Sequence, residues 1–371
     1  MLVRAITRAG LVTVLGSTLA LGLAYPLRAQ SETDSTSPSP ANSWQVYKYR
    51  MAGRVRLLLF WVGKDNVGGG TIAFSHRPAS HQQPRADAIE VLFGSNPARV
   101  PGKVNRWGYG REWAEWSDGA EGQAPRLVST TFEGFMRHSS EESLSEVRSN
   151  ASKDKEKSVF WFDGIRSSVA DSGASATIHF FSQQQEFDYT NPAGVECAYR
   201  QRLRGGPPDR QRSLAKEQAK YTSPLGFLTA LRTLMDQISG RFGQKADGWA
   251  SYRPSLPYAY NAKGYRLAVK DLEQHRSFQL GSTNPKDKSL QFRDVIEADF
   301  EITNLTTRET HSFTIWYPAT GALKGVPLKI VDKPRWWLRI ELTLDPQFAK
   351  NGGATQSYGA MPECAQQVTA R

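Results

Sequence analysis

The side chains best equipped for chemistry stand together in one short run, Asn105-Arg106-Trp107-Gly108-Tyr109-Gly110-Arg111-Glu112-Trp113-Ala114-Glu115-Trp116. Three Trp and one Tyr offer flat apolar faces beside charged donors and acceptors. A sugar ring can stack its C–H face on such an aromatic while its hydroxyls bond to the charged groups. Trp107, Tyr109, Arg111, Glu112, Trp113, Glu115 and Trp116 are therefore the expected ligand-binding residues, with a glycan or an anionic component of the cell envelope as ligand. Glu112 and Glu115 could also serve as general acid and base of a glycan hydrolase, which requires the two carboxylates to flank one bond. A structural role competes with both. Trp113 and Trp116 are about one helical turn apart and could anchor a surface segment on the core, with Arg111 and Glu115 paired outside.

Other chemistries have little to work with. His76, His81, His138, His179, His275 and His311 form no helical ligand pair. His138 with Glu141 and Glu142 comes nearest to a metal cluster, but it sits in a Ser-rich stretch, so no metal and no cofactor are expected. Gly68 to Gly70 lack the Lys-Ser/Thr of a phosphate-binding loop and read as a turn. No GxSxG elbow occurs. Cys197 and Cys364 are too far apart for a zinc knuckle or a redox CxxC motif. In an oxidising compartment they are expected to form a disulfide. A non-enzymatic binding protein fits this inventory best; a secreted glycan hydrolase and a structural or assembly protein of the envelope are the alternatives.

The oxidising compartment is inferred from residues 1–29. Arg4 and Arg8 precede an apolar run from Gly10 to Leu23, and Leu27 and Ala29 occupy the small or apolar positions before a cleavage site. A signal peptide is expected there, with the mature chain beginning near Gln30 and exported to the periplasm or beyond. The net charge is +11 for the whole chain, and +8 without Arg4, Arg8 and Arg28. Outside the cytoplasm such basicity favours anionic surfaces over nucleic acid, and no nucleic-acid partner is expected.

These residues must be held by a scaffold that alternation identifies as mainly β. Residues 30–43 are Ser, Thr and Pro with little to bury and read as a flexible leader. An N-terminal β-rich unit is expected over 44–203, a Gly/Pro/Arg-rich linker over 204–213, a helix with a C-terminal antiparallel sheet over 214–349, and a polar tail over 350–371. Within the first unit, Arg54 to Val62 and Thr71 to Phe74 read as two strands of a hairpin turning at Asp65, Asn66 and Gly68 to Gly70.

The one principal helix is expected over about 224–239, capped by Ser223 and ended by Gly240. Leu225, Leu228, Leu231, Leu234, Met235 and Ile238 form its apolar stripe. Phe292, Ile296, Ala298, Phe300 and Ile302, a turn at 304–308, then Phe313, Ile315 and Tyr317 predict a hairpin with one wet face carrying Arg293, Glu297, Asp299 and Glu301. The strand after Pro334 adds Arg339 and Glu341 to that face. The expected architecture is an antiparallel sandwich, or an open sheet covered by the helix. Uneven strand spacing, the long helix and the polar ending argue against a transmembrane barrel.

Overall fold

The computed structural model describes residues 44–57, 60–78, 85–96, 98–100, 107–117, 125–137, 160–183, 193–204, 207–215, 224–243, 249, 251–281, 289–350 and 352–356. It is mainly antiparallel β. Eight strands run in sequence: β1 (Trp44–Leu57), β2 (Phe60–Arg77), β3 (Arg85–Ser95), β4 (Trp107–Ser117), β5 (Arg126–Arg137), β6 (Phe160–Ala170), β7 (Gly173–Gln183) and β8 (Arg210–Ala215). Helix α1 (Ala193–Arg204) lies between β7 and β8, and helix α2 (Phe227–Arg241) follows. The C-terminal strands are β9 (Ser255–Tyr260), β10 (Lys263–His275), β11 (Phe278–Leu280), β12 (Leu290–Phe292), β13 (Val295–Asn304), β14 (Thr310–Pro318), β15 (Lys329–Arg335) and β16 (Leu338–Leu344). A short helix α3 (Pro346–Lys350) and strand β17 (Ala354–Gln356) complete the described chain.

One large sheet takes the order β8-β7-β6-β5-β4-β3-β2-β1-β16-β15-β14-β13-β10-β9, with β17 pairing β1 and a separate β11–β12 ribbon. The two halves therefore share a ladder, in which Tyr49 opposes Leu344 and Val55 opposes Leu338. Residues 210–215, expected in part as linker, are the edge strand β8, paired with β7. The sheet is open, but it curls far enough for its ends to approach. Ala259 of β9 packs with Val169 and Ala174 of β6 and β7, and the Asn261 amide donates to Ser167 Oγ at 3.0 Å.

Helix α2 fills the curl. Its Leu234, Met235 and Ile238 pack with Ile296, Ala298 and Phe300 on one side and with Ala114 and Leu127 on the other. The apolar stripe from Leu228 to Ile238 is thus as expected, but the helix begins later, at Phe227 after the N-cap Gly226, which leaves Leu225 ahead of it, and it runs through Gly240. Ser223 lies outside the described residues. Helix α1 covers the opposite face of β5–β7, its Tyr199 packing on Phe135 and Phe181. Among the described residues no helix is long and apolar enough to cross a membrane.

Two local expectations are corrected. Gly68 to Gly70 are not a turn; they lie within β2, opposite Met51, Arg50 and Tyr49 on one side and Ser95, Gly94 and Phe93 on the other. The alternation they interrupt resumes because the ladder is irregular between Met51 and Gly53, near Asn66, which has a φ of 55°. The β1–β2 ladder instead runs on as far as the Leu57–Phe60 pair. The expected strand over 292–302 is also split, since Asp294 adopts a φ of 54° between β12 and β13. The β13–β14 hairpin forms as expected, its turn held by Asn304 Oδ1 accepting from the Thr306 and Thr307 amides at 2.9 and 3.1 Å.

Candidate functional site

The aromatic run is strand β4, not a helical turn, so neighbours in sequence face opposite ways. Tyr109, Arg111 and Trp113 point away from α2 and are buried. Arg111 Nε donates to Glu90 Oε2 at 2.7 Å, Nη2 donates to the same oxygen, and Tyr109 Oη adds a third hydrogen bond at 3.0 Å. The guanidinium also lies over the Trp44 and Trp113 rings, 5.1 and 5.5 Å from their centres. A charge pair so enclosed is satisfied internally and has no face left for a ligand. Glu115 lies on the same side, accepting from Ser129 Oγ at 3.0 Å. The expected pairing of Arg111 with Glu115 is replaced by the cross-strand pairing of Arg111 with Glu90. The side chain of Trp107 is outside the described set.

Glu112 projects the other way, onto the N-terminus of α2. Its Oε1 accepts from the Thr229 amide and Thr229 Oγ1, both at 2.6 Å, and its Oε2 accepts from the Leu228 amide at 3.2 Å. A helix start leaves its first amides without partners and carries partial positive charge, and the carboxylate answers both. Gly226 makes the approach possible, because a Cβ there would lie 2.5 Å from the carboxyl group. Burial raises the Glu112 pKa, with the hydrogen bonds from Thr229 and Leu228 acting in opposition. Glu112 and Glu115 therefore occupy opposite faces of one strand and cannot flank a single glycosidic bond.

The site with room for a ligand lies beside α2, inside the curl. A cavity of about 280 Å³ opens between Leu228, Leu231 and Met235 of the helix, Ile72, Ile89, Val91 and Phe93 of β2 and β3, and Phe313, Ile330, Ile340 and Leu342 of β14–β16. The strand periodicity explains its lining. In β3, Ile89, Val91 and Phe93 face inward yet are only half-buried, whereas Ala88, Glu90 and Leu92 on the other face are fully buried. Leu228 and Leu231, two members of the helix's apolar stripe, are likewise half-buried, since they border this space rather than filling it.

Almost the whole wall is hydrocarbon; the ionisable groups on it are Arg232 and Asp332, the latter 2.7 Å from His311 Nε2.

A second, polar cleft of about 970 Å³ adjoins the first and shares Phe74, Ile89 and Arg232 with it. Its wall carries His76, Arg85, Asp87, Trp116 and Asp236. Arg232 pairs with Asp236 at 3.1 Å and lies over the Phe74 ring. Arg85 pairs with Asp87 at 3.1 Å and stacks on Trp116, 5.3 Å from the ring centre. Trp116 is thus the member of the expected site that does line an open cleft.

The wet face of the C-terminal sheet carries cross-strand and neighbouring ion pairs instead of a cleft: Lys270 with Glu301 at 3.3 Å, Lys329 with Glu341 at 3.1 Å and Arg339 with Glu341 at 2.8 Å. Glu273, His275 and Glu297 cluster on it within 4.8 Å, where His275 and Glu297 already pair at 2.6 Å. The His138, Glu141 and Glu142 group lies outside the described residues, as does Cys364. Cys197 lies in α1, and among the described residues no cysteine is a free thiol.

Comparisons with protein family models, with curated proteins and with solved structures find no match to this chain. The cavity residues had no local signal in the sequence, since each reads as an ordinary core position of its own strand or helix.

Proposed function

We propose that this chain is a non-enzymatic binding protein for an amphipathic ligand, exported to the cell envelope. The observation that carries the proposal is the continuity of an apolar cavity with a polar cleft across Phe74, Ile89 and Arg232. A hydrocarbon chain matches the first and a polar headgroup the second. Concave sites of this volume and polarity are the usual setting for small apolar ligands with a few oriented polar contacts. The leader at residues 1–29 supports an envelope location, where acyl-bearing molecules are abundant. The glycan expected from the aromatic run finds weaker support, because Tyr109, Arg111 and Trp113 are engaged in packing and Trp116 alone borders the cleft.

The test is displacement of a fluorescent long-chain fatty acid from the purified chain beginning at Gln30, together with mass spectrometry of solvent-extracted lipid. Saturable binding is expected. Leu231→Trp, which fills the cavity from the helix side, should weaken it roughly tenfold or more while leaving the fold intact, as a pocket loses affinity when its volume is taken. Absence of saturable binding, or binding indifferent to this substitution, would refute the proposal.

A further inference from the structure

The structure points to a membrane-docking surface at the end of the sheet formed by the β1–β2 and β15–β16 hairpins, and we propose that its partner is the surface of an anionic lipid bilayer. Among the described residues the exposed large hydrophobic side chains are Trp61, Val62, Val128 and Trp336, and three of these four lie at this one end. Trp336 is 74% exposed and Trp61 41% exposed. The ladder sets the two hairpins side by side: Val55 opposes both Val62 and Leu338, and the Arg56 amide donates to the Trp337 carbonyl at 2.8 Å. The tips therefore form one surface, not two separate loops.

Their chemistry is that of an interfacial anchor. Trp favours the headgroup level of a bilayer, where its ring is half in hydrocarbon and its N–H remains solvated. Around the tips, residues 54–65 and 332–341 contain six basic side chains against three acidic ones. Arg56, Lys64 and Lys333 are exposed there. Of the acidic residues, Asp65 pairs with Arg54 at 2.8 Å and Glu341 with Arg339 at 2.8 Å, so the balance presented outward is positive. Basic residues beside an apolar anchor attract anionic headgroups, and the two together hold a protein on a membrane where either alone is weak. A soluble protein partner would be met by the aromatic tips equally well; the positive collar is what selects a lipid surface.

The position adds to this. Met51 and Ile340 border the apolar cavity, and Leu338 lies two residues further along β16, about 7 Å nearer the tips. A docked molecule would thus hold the cavity close to the lipid. The docking proposal stands on the exposed tips and their charge, and does not need the ligand proposal to hold.

The test is co-sedimentation of the chain beginning at Gln30, which contains every described residue, with vesicles of phosphatidylcholine alone or mixed with phosphatidylglycerol. Binding is expected to the anionic vesicles at low salt. It should weaken strongly in 1 M salt, where the screening length is about 3 Å. Trp336→Glu and Trp61→Glu should each weaken it roughly tenfold or more, and Trp336→Ala serves as the milder variant if a charged one fails to fold. Fatty-acid binding and the thermal midpoint of the Ala variant should stay as in the wild type. Failure of the wild type to sediment with anionic vesicles would overturn the proposal, as would equal sedimentation of the variants. A dimer in light scattering that these substitutions dissociate, without change in vesicle binding, would assign the surface to a second copy of the chain instead.

Discussion

Glu112 is where a residue's chemistry and its architectural use are easiest to confuse. In sequence it is a carboxylate among aromatics; in the fold it caps α2 from another element, through three hydrogen bonds. Glu112→Ala should cost about 2–4 kcal/mol in chemical denaturation, combining a lost cap with buried amides left without acceptors. Glu112→Gln keeps an acceptor oxygen and should cost less. The pair of variants also reports the charge. Burial holds the folded pKa of Glu112 above its unfolded value, so the folded state takes up the proton first. Its contribution is then fully present below the unfolded pKa and declines as pH rises toward the folded one. The wild type's margin in thermal midpoint over Glu112→Gln should accordingly be larger near about pH 4 than near about pH 7. A margin that does not change, or grows with pH, would show that the hydrogen bonds outweigh desolvation.

At the scale of elements, strands that bury one face strictly, such as β13 and β14, are legible because Ile296, Ala298, Phe300, Phe313 and Ile315 keep period two. Gly68 to Gly70 mislead for a physical reason. Glycine serves a turn, but it also serves a strand crossed closely by neighbours, and a Cβ at Gly70 would sit 1.9 Å from the Leu92 carbonyl oxygen. Helix α1 rests on a similar close approach. A Cβ at Gly164 of β6 would lie 2.2 Å from the Tyr199 ring, whose hydroxyl donates to the Ile165 carbonyl at 2.8 Å. Gly164→Ala should therefore lift α1 from β6 and cost about 1–3 kcal/mol, the usual range for overpacking. A thermal midpoint equal to the wild type's would show that the helix is held mainly by contacts other than this one.

For the whole molecule, strands and helix are readable one by one, but the curl that gathers them is not. Ile89 and Val91 meet Ile340 and Leu342 around Leu231 only because β1 pairs with β16, a contact between residues nearly 300 apart in sequence. No local pattern encodes that, and so the cavity was invisible while the stripe facing it was plain. The expected Cys197–Cys364 disulfide is a property of the same scale, since it would tie α1 to the C-terminal tail. Peptide mapping of unreduced, exported protein should recover the two cysteine peptides joined, and reduction should lower stability by about 2–4 kcal/mol. Two freely alkylated thiols would sink this expectation.

The pairing of the first strand with the sixteenth also governs how the chain must come into being. A polypeptide emerging amino-end first can zip β1 through β8 into a meander, but that meander has an open edge along β1 and an uncovered apolar face on β3 until α2 and β16 arrive. High contact order makes this last closure slow, and an unpaired edge invites the wrong partner in the meantime. A chain built this way cannot fold vectorially to completion. Its amino-terminal half must wait for its carboxyl-terminal half before the edge of β1 is paired and the inner face of β3 is covered.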